Sequence, residues 1–332
     1  MLKHLSKLLV CPICHSPLDW KIREQTEKRI MEGEAICSSC GASYPIRDGI
    51  GIFLTPDLPR NDLWENVDSA LATHLRQHPG LEKQLMDTPL KTLSPTDQQF
   101  RALVLEERGS YAEAREVEEI AKKNLYTPEY IRCWDSQMEY TAKEGAYIEG
   151  PIVDLASGRC YLVEKLAGKL KRPIVASDFS PRVLRSSKKV LEFQGLYDQV
   201  SLLAFDARRT PFRDKAINLL TTNLGLPNIE NPGDLVQELR RIVRGTFLAI
   251  AHFFPEDDQE NRKAITEFGL DALLFEKPAL ERFSDAGWKV TIENSCSSTA
   301  KPTSPSALFE GARADGLPIA DTTLDWGTLW AV

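Results

Sequence analysis

The sequence predicts an α/β protein in which a parallel β-sheet carries helices on both faces and follows a small metal-binding module and a helical region. Short apolar runs alternate with amphipathic helical segments from residue 151 onward, which is typical of βαβ units. Two Cys-x-x-Cys pairs lie within the first 40 residues, and the pattern over residues 62–147 is helical. We therefore expect three domains, at residues 1–55, 56–147 and 148–332.

The composition is that of an ordinary folded protein. Hydrophobic residues make up 42% of the 332 residues and charged residues 27%, which excludes disordered and fibrous classes. The formal net charge of −7 gives no overall positive field toward nucleic acid. The chain has no apolar run of about 18 residues, and its first ten residues are too short and too charged for a secretory signal. We expect a cytoplasmic protein that does not enter a membrane.

The first four cysteines form a metal-binding pattern. Each two-residue spacer lets a tight turn aim two thiolates at one ion, and two such turns complete the tetrahedral sulfur shell that zinc prefers. Two disulfides are the alternative, which the absence of an export signal disfavours. We expect structural zinc, with His15 as a bystander and Cys133, Cys160 and Cys296 as unpaired thiols. The predicted zinc ligands are Cys11, Cys14, Cys37 and Cys40.

The residues after the cysteines predict a hairpin. A strand-like run at 42–46 leads to a turn at Asp48-Gly49 and a second apolar run at 50–54. The strings Cys-Pro-Ile-Cys, Cys-Ser-Ser-Cys-Gly and Tyr-Pro-Ile-Arg-Asp-Gly-Ile resemble the small zinc-ribbon proteins that activate tRNA, rRNA and protein methyltransferases by docking against them. The resemblance covers about residues 5–54. It implies a ribbon without catalytic groups of its own that packs on a methyltransferase, either the rest of this chain or a partner protein.

The middle of the chain predicts a linker near 55–60 followed by helices. Glu118 and Lys122 stand four residues apart and predict an exposed, ion-paired helix face. The aromatic residues of the last helix either pack in a core or cover a substrate pocket. The predicted helix N-caps are Ser94, Ser110 and Thr127. The aromatic residues are Tyr130, Trp134 and Tyr140.

Seven strands are predicted in the last part of the chain. The turn after the first of them, from Asp154 to Tyr161, consists largely of small residues and enters a helix whose N-terminus can approach an anion. A dinucleotide G-x-G-x-x-G motif would need its third glycine at Tyr161, so NAD is disfavoured. The predicted strands are 152–155, 174–177, 201–205, 217–222, 246–251, 288–293 and 328–332.

The same turn resembles the motif of class I S-adenosylmethionine-dependent methyltransferases, an acidic residue followed by G-x-G-x-G. The acid falls on Asp154 and the glycine positions on Ala156, Gly158 and Cys160, so only the middle glycine is kept. A single Gly245 also stands where relatives carry Pro-Gly-Gly. The resemblance implies a Rossmann-like seven-stranded methyltransferase sheet.

The rest of the motif set follows in order. Asp178 ends the second strand, 24 residues after Asp154, where the resemblance implies contact with ribose hydroxyls. Asp206 and Ala207 follow the third strand, where the family binds the adenine ring. Ordinary strand-end capping is the alternative for both acids. The implied S-adenosylmethionine-binding residues are Asp154, Ala156, Gly158, Asp178, Phe179, Asp206, Ala207 and Asn223.

Three functions remain open. The first is a methyltransferase that acts on a small molecule, because the sequence after Thr222 does not spell the Asn/Asp-Pro-Pro-Tyr signature of base-nitrogen methylation. His252, just beyond the fifth strand, is the candidate catalytic base. The second is an rRNA or tRNA methyltransferase, which would need basic patches at 28–29 or 208–209, since residues 1–60 carry a net charge of only +1. The third is a non-catalytic scaffold that binds a protein partner. The polar run from Thr299 to Gly316 predicts a long insertion before the last strand.

Overall fold

The computed structural model describes residues 1–55, 57 and 71–332. Much of the predicted linker at 55–60 lies outside the described residues. The strands are β1 (Leu18–Gln25), β2 (Ile30–Cys37), β3 (Ser43–Arg47), β4 (Ile50–Ile52), β5 (Ile152–Leu155), β6 (Ile174–Asp178), β7 (Val200–Ala204), β8 (Ile217–Asn223), β9 (Val243–Phe253), β10 (Val290–Ala300) and β11 (Thr322–Ala331). The α-helices are α1 (Pro79–Asp87), α2 (Pro95–Glu107), α3 (Tyr111–Leu125), α4 (Pro128–Gly145), α5 (Tyr161–Lys169), α6 (Pro181–Phe193), α7 (Pro232–Ile242), α8 (Gln259–Glu267), α9 (Asp271–Leu274) and α10 (Glu276–Asp285), and residues 71–77 are helical as well.

One continuous sheet joins all of these strands. Its order is β1-β2-β3-β4-β7-β6-β5-β8-β9-β11-β10. Within this order, the neighbouring strands β4, β7, β6, β5, β8 and β9 are parallel to one another. Strand β11 pairs antiparallel with both β9 and β10. The predicted α/β class is confirmed. The seven strands predicted for the last part of the chain are present as β5 to β11, and the four ribbon strands extend the sheet to eleven.

The junction between ribbon and sheet is a parallel strand pair. Ile50 of β4 lies opposite Leu202 of β7, and Ile52 lies opposite Ala204. Arg29 donates a 3.0 Å hydrogen bond to the Val200 carbonyl, and its guanidinium lies 4.0 Å from the centre of the Tyr197 ring. The ribbon therefore packs on its own chain.

Two hydrophobic clusters lie on the two faces of the sheet. One cluster joins ribbon residues such as Leu5 and Phe53 to Phe205, Phe212 and Phe247. The other joins Met138 of α4 to the far ends of the sheet strands. Because ribbon and sheet strands share a core, they are expected to unfold together. The predicted domain boundaries at 55 and 147 stay predictions.

The helical region lies on the side of the sheet that carries the turn between β5 and α5 (residues 156–160). The N-caps Ser94 and Thr127 are confirmed, since their hydroxyls accept from Asp97 N at 3.2 Å and Tyr130 N at 3.1 Å. Ser110 is the N-cap residue of α3, as predicted, but its side chain makes no capping hydrogen bond with the described backbone. The predicted exposed face at Glu118 is wrong: this side chain is buried and pairs with Arg159 of the turn that precedes α5.

The end of the chain departs most from the prediction. Strands β10 and β11 extend to 290–300 and 322–331, several residues beyond the predicted limits, and enclose a loop of residues 301–321. This loop is the predicted insertion. Among the described helices, none combines the length and the apolar character that crossing a membrane requires.

Candidate functional site

Four cysteine sulfurs of the ribbon converge on one point. All lie within 4.8 Å of one another, with Cys11 Sγ 3.6 Å from Cys40 Sγ and Cys14 Sγ 3.4 Å from Cys37 Sγ. The backbone N–H groups of Ser39 and Cys40 donate to Cys37 Sγ at 3.4 and 3.3 Å. A tetrahedral shell with zinc–sulfur bonds of about 2.3 Å has sulfur–sulfur edges of about 3.8 Å, so this donor set fits zinc. His15 does not belong to the group.

The turn after β5 adopts a backbone that favours glycine. Ala156, Gly158 and Cys160 have φ angles of +50°, +48° and +64°. The alanine and the cysteine occupy this left-handed region at a cost of order 1 kcal/mol each. Ser157 secures the turn, because its N–H donates to Ser177 O at 2.7 Å and its hydroxyl to Asp154 O at 3.0 Å. The loop therefore keeps its shape although two of its glycine positions are filled by other residues.

Asp154 lies beneath this turn rather than on its surface. The side chain is buried, and its Oδ1 accepts a 2.6 Å hydrogen bond from the Thr221 hydroxyl. Burial raises the pKa of Asp154 to about 7, although the Thr221 hydrogen bond opposes the rise. Asp154 thus connects β5 to β8 and supports the loop from below.

Asp178 joins the turn to the next helix. Its Oδ2 accepts from Gly158 N at 3.1 Å and its Oδ1 from Ser180 N at 3.0 Å. The Ser180 hydroxyl in turn caps α6 by accepting from Val183 N. These bonds place the carboxylate at the carboxyl end of β6, against the cavity described next.

A cavity of about 470 Å³ opens at the carboxyl ends of β5, β6 and β7. Apolar side chains form much of its wall and three carboxylates, Asp178, Asp206 and Glu230, line it as well, which suits a flat heterocycle with attached hydroxyl groups. Of the predicted cofactor residues, Ala156, Asp178, Phe179, Asp206 and Ala207 line it together. Leu155, Ser177, Phe205, Arg208, Asn228, Ile229 and Glu230 complete the lining.

Arg208 occupies the Asp206 end of this cavity. Its backbone N–H and Nε donate to Asp206 Oδ1 at 2.9 Å each, and one terminal nitrogen donates to Oδ2 at 2.7 Å. Both side chains are less than a tenth exposed. The structure therefore holds Asp206 in an ion pair, and a bound adenine would share this carboxylate with Arg208.

Asn223 stands outside the cavity lining. Its Oδ1 accepts a 2.9 Å hydrogen bond from Trp134 Nε1 of α4. Trp134 also packs edge-on against Tyr161, with ring centres 5.8 Å apart. This pair separates the first cavity from a second one at the end of β9.

The second cavity, of about 350 Å³, contains His252. The start of α4, the end of β9 and the loop 301–321 form its walls, so the inserted loop builds a binding surface. The His252 ring lies 5.0 Å from Trp326 and 6.3 Å from Tyr130, measured between ring centres. Its Nδ1 is buried and has no hydrogen-bond partner among the described residues. Burial lowers the pKa of His252 to about 4, so the imidazole is neutral at pH 7.

The structure separates His252 from the other predicted site residues, because β8 lies between β5 and β9. With neighbouring strands about 4.8 Å apart, the first cavity, centred on β6, and the second, at the end of β9, lie about 14 Å apart along the sheet. Both open at the same edge of the sheet, where ligands bind in open α/β folds.

Sequence reasoning considered Arg208 only as part of a basic patch and missed its pairing with Asp206, and it missed Tyr126 and Asp315 altogether. Arg208 follows Asp206 by two residues, a spacing that allows the observed pair and was the available signal. Tyr126 and Asp315 are 189 residues apart, and the 2.7 Å hydrogen bond from the Tyr126 hydroxyl to Asp315 Oδ2 has no local sequence signal.

The fold is that of a class I, S-adenosylmethionine-dependent methyltransferase, here with a four-cysteine ribbon joined to the sheet. Family comparison agrees for both parts. Residues 3–49 match the model of Trm112p-like proteins, and residues 153–248 match a methyltransferase domain. Through its ribbon the chain belongs to the UPF0434 proteins: it is 39% identical over 64 residues to the UPF0434 protein of Methylobacillus flagellatus, covering 93% of that protein and 19% of this chain.

Matches to the second part are more distant. The ubiquinone/menaquinone biosynthesis C-methyltransferase UbiE of Coxiella burnetii is 25% identical over 105 residues, which is 31% of this chain. The chain spans 42% of that relative's length. A solved S-adenosylmethionine-dependent methyltransferase from Aquifex aeolicus is 15% identical with a TM-score of 0.42, over 61% of this chain and 93% of the other. The YcgJ protein of Bacillus subtilis is 14% identical with a TM-score of 0.47, over 59% and 97%.

Proposed function

We propose that this protein transfers a methyl group from S-adenosylmethionine to a small molecule. The observation that carries the proposal is the pair of neighbouring cavities at one edge of the sheet, separated by Trp134 and Asn223. One cavity has the place and lining of a nucleoside site, and the other opens at the same edge of the sheet, where a small acceptor would bind.

The cofactor would lie in the larger cavity. Asp178 stands where it can accept hydrogen bonds from ribose hydroxyls, and Asp206 stands where it can accept from the adenine amino group. Ala156 and Gly158 allow close approach of the backbone to the ligand, while Phe179 and Ala207 contribute walls. When bound, S-adenosylmethionine supplies a methyl group on a positively charged sulfur, which keeps the bonding electron pair as the acceptor's lone pair forms the new bond.

The protein's part in such a reaction is mainly positioning. Trp134 and Asn223 lie between the two cavities and would set the approach of the acceptor. For an acceptor that carries a proton on the attacking atom, the neutral His252 ring, with its unpaired Nδ1, would be the proton acceptor. Its low pKa makes it a weak base, so the proposal assigns it a modest share of the rate.

The ribbon would hold zinc through Cys11, Cys14, Cys37 and Cys40 as a structural ion. Four sulfur ligands complete a tetrahedral shell and leave no position for substrate. The ribbon's contribution is then the support of β7, whose carboxyl end leads into Asp206.

One arginine of each basic pair that an RNA substrate would need is buried, and Arg209 is paired with Asp57, which leaves Lys28 as the exposed cation. Arg29 is buried against Tyr197, and Arg208 is buried against Asp206. The quinone-biosynthesis names of the distant relatives also support a small-molecule acceptor rather than RNA. The expected cytoplasmic location stays a prediction.

Calorimetric titration with S-adenosylmethionine tests the proposal. The wild-type protein is expected to bind with a Kd in the micromolar range, about −8 kcal/mol. Asp178→Asn is expected to weaken binding at least tenfold, while the control Asp198→Asn, an exposed carboxylate in the neighbouring segment, leaves it unchanged. Absence of wild-type binding would refute the proposal and favour the non-catalytic scaffold.

A further inference from the structure

The second cavity is lined by polar as well as apolar side chains. Besides His252 it is lined by Asp315 and Tyr126, with the Tyr126 hydroxyl donating to Asp315 Oδ2. Among the described residues nothing donates a hydrogen bond to the other carboxylate oxygen, Oδ1. A carboxylate in a partly enclosed site with one donor is incompletely satisfied, and it attracts a further donor or a cation.

A stacked pair of tyrosine rings lines the same cavity as this carboxylate. The Tyr126 and Tyr130 rings stack nearly parallel, with an angle of 11° and centres 4.7 Å apart. Aromatic faces carry negative charge density and attract cations over their planes. Burial raises the pKa of Asp315 above its usual value, as expected for a carboxylate without a cationic partner, and the Tyr126 hydrogen bond opposes the rise.

The positively charged side chain at the rim of the second cavity is already paired with an acid. Lys301 lies at the rim, but its Nζ is 3.5 Å from Asp321 Oδ2 and its side chain is largely exposed. His252 is neutral at pH 7. The interior therefore presents one carboxylate and two aromatic faces without an internal cation among the described residues.

We propose that the second cavity binds the ammonium group of a small, flat amine, with Asp315 as the anionic contact and the Tyr126 and Tyr130 rings as the stacking surface. The inference rests on the proposed function in taking this cavity as the acceptor site. Binding of the amine by itself needs neither cofactor nor methyl transfer, so it can be measured separately.

The test compares two probes of nearly equal size and shape, 2-phenylethylamine, which is cationic at pH 7.5, and the neutral 2-phenylethanol. Their affinities for the full chain are measured by ligand-observed NMR titration without cofactor. We expect the amine to bind about tenfold more tightly, the range expected for a charge-assisted contact together with a cation–π contact. In Asp315→Asn, which keeps the shape of the side chain, the difference between the probes is expected to disappear.

Two further variants separate charge from structure. Asp321→Asn removes a carboxylate from the same loop but outside the lining, and it should keep the preference for the amine. Tyr126→Phe removes the hydrogen bond to Asp315 but keeps the ring and the carboxylate, and it should also keep the preference. Equal binding of both probes by the wild-type protein, or a preference that persists in Asp315→Asn, would overturn the inference. Amine selectivity without S-adenosylmethionine binding would support this inference and refute the proposed function. S-adenosylmethionine binding without amine selectivity would refute this inference and support the proposed function.

Discussion

A buried network of charged side chains joins the helical region to the turn between β5 and α5. Its central residue, Arg159, allows a quantitative prediction of stability. Arg159 of the loop contacts Glu106 of α2 at 2.7 Å and Glu118 of α3 at 2.8 Å. The side chains of the two acids are 12% and 8% exposed. Arg115 contacts Glu118 at 3.2 Å and also pairs with Glu164.

Arg159→Met keeps most of the side-chain volume but removes the charge that both acids share. Since both carboxylates contact the same nitrogen, their oxygens are at most about 5.5 Å apart. At an effective dielectric constant of about 20, their repulsion at that distance is about 3 kcal/mol, which Arg115 offsets in part. Glu118 keeps Arg115 as a partner, but the buried Glu106 loses the cation it shares with Glu118, so we expect the free energy of unfolding to fall by about 3–5 kcal/mol.

Urea unfolding followed by far-ultraviolet circular dichroism measures this change. Arg132→Met is the matched control, because Arg132 is 68% exposed and pairs with Glu129 on the surface; its expected loss is below about 0.5 kcal/mol. Adding Glu118→Gln to Arg159→Met removes one of the repelling acids, so the double variant should recover more than about 1 kcal/mol. A loss from Arg159→Met no larger than that of the control would refute the reasoning.

Three other outcomes are expected. Burial raises the folded-state pKa of Asp154 to about 7, above its unfolded value near 4, so the stability of the protein should decrease as the pH rises from about 4 to 7. Asp154→Asn should flatten this part of the profile of Tm against pH. An unchanged slope would contradict the raised pKa. A Cβ at Gly51 would meet Leu203 Cδ2 and Phe53 Cε2 at 2.8 Å, so Gly51→Ala should cost about 1–3 kcal/mol in urea unfolding, while Gly168→Ala in α5, which meets open space, should cost nothing. Removal of zinc by a chelator should lower the Tm of the whole protein in one calorimetric transition, and a separate ribbon transition would contradict the shared core.

The central strands were predictable because they are buried on both sides. Strands β5, β6 and β7 are short, fully buried and rich in Ile, Val, Leu and Ala, which the sequence shows directly. The ends of β10 and β11 were not, since many of their residues are polar and half exposed. The four cysteines were also predictable, because their spacing is itself the geometric requirement of the metal.

The contacts that define the candidate site depend on residues far apart in sequence. The pairing of Ile50 with Leu202 and the hydrogen bond between Trp134 and Asn223 join segments 152 and 89 residues apart. Glu118 looked like a surface residue because its helical spacing to Lys122 is local, whereas its burial comes from Arg159 of another element. Local patterns predict elements and ligand types, but they do not predict which charges meet in the interior.

The parallel pairing of β4 with β7 has a consequence for assembly. Without the ribbon, β7 would be an edge strand with unpaired backbone groups, open to pairing with other chains. Covalent attachment makes this pairing intramolecular, so it is independent of protein concentration and carries no cost in translational freedom. Each ribbon therefore pairs with one sheet in a fixed one-to-one ratio. The edge of β7 is then not available for pairing with a separate ribbon protein.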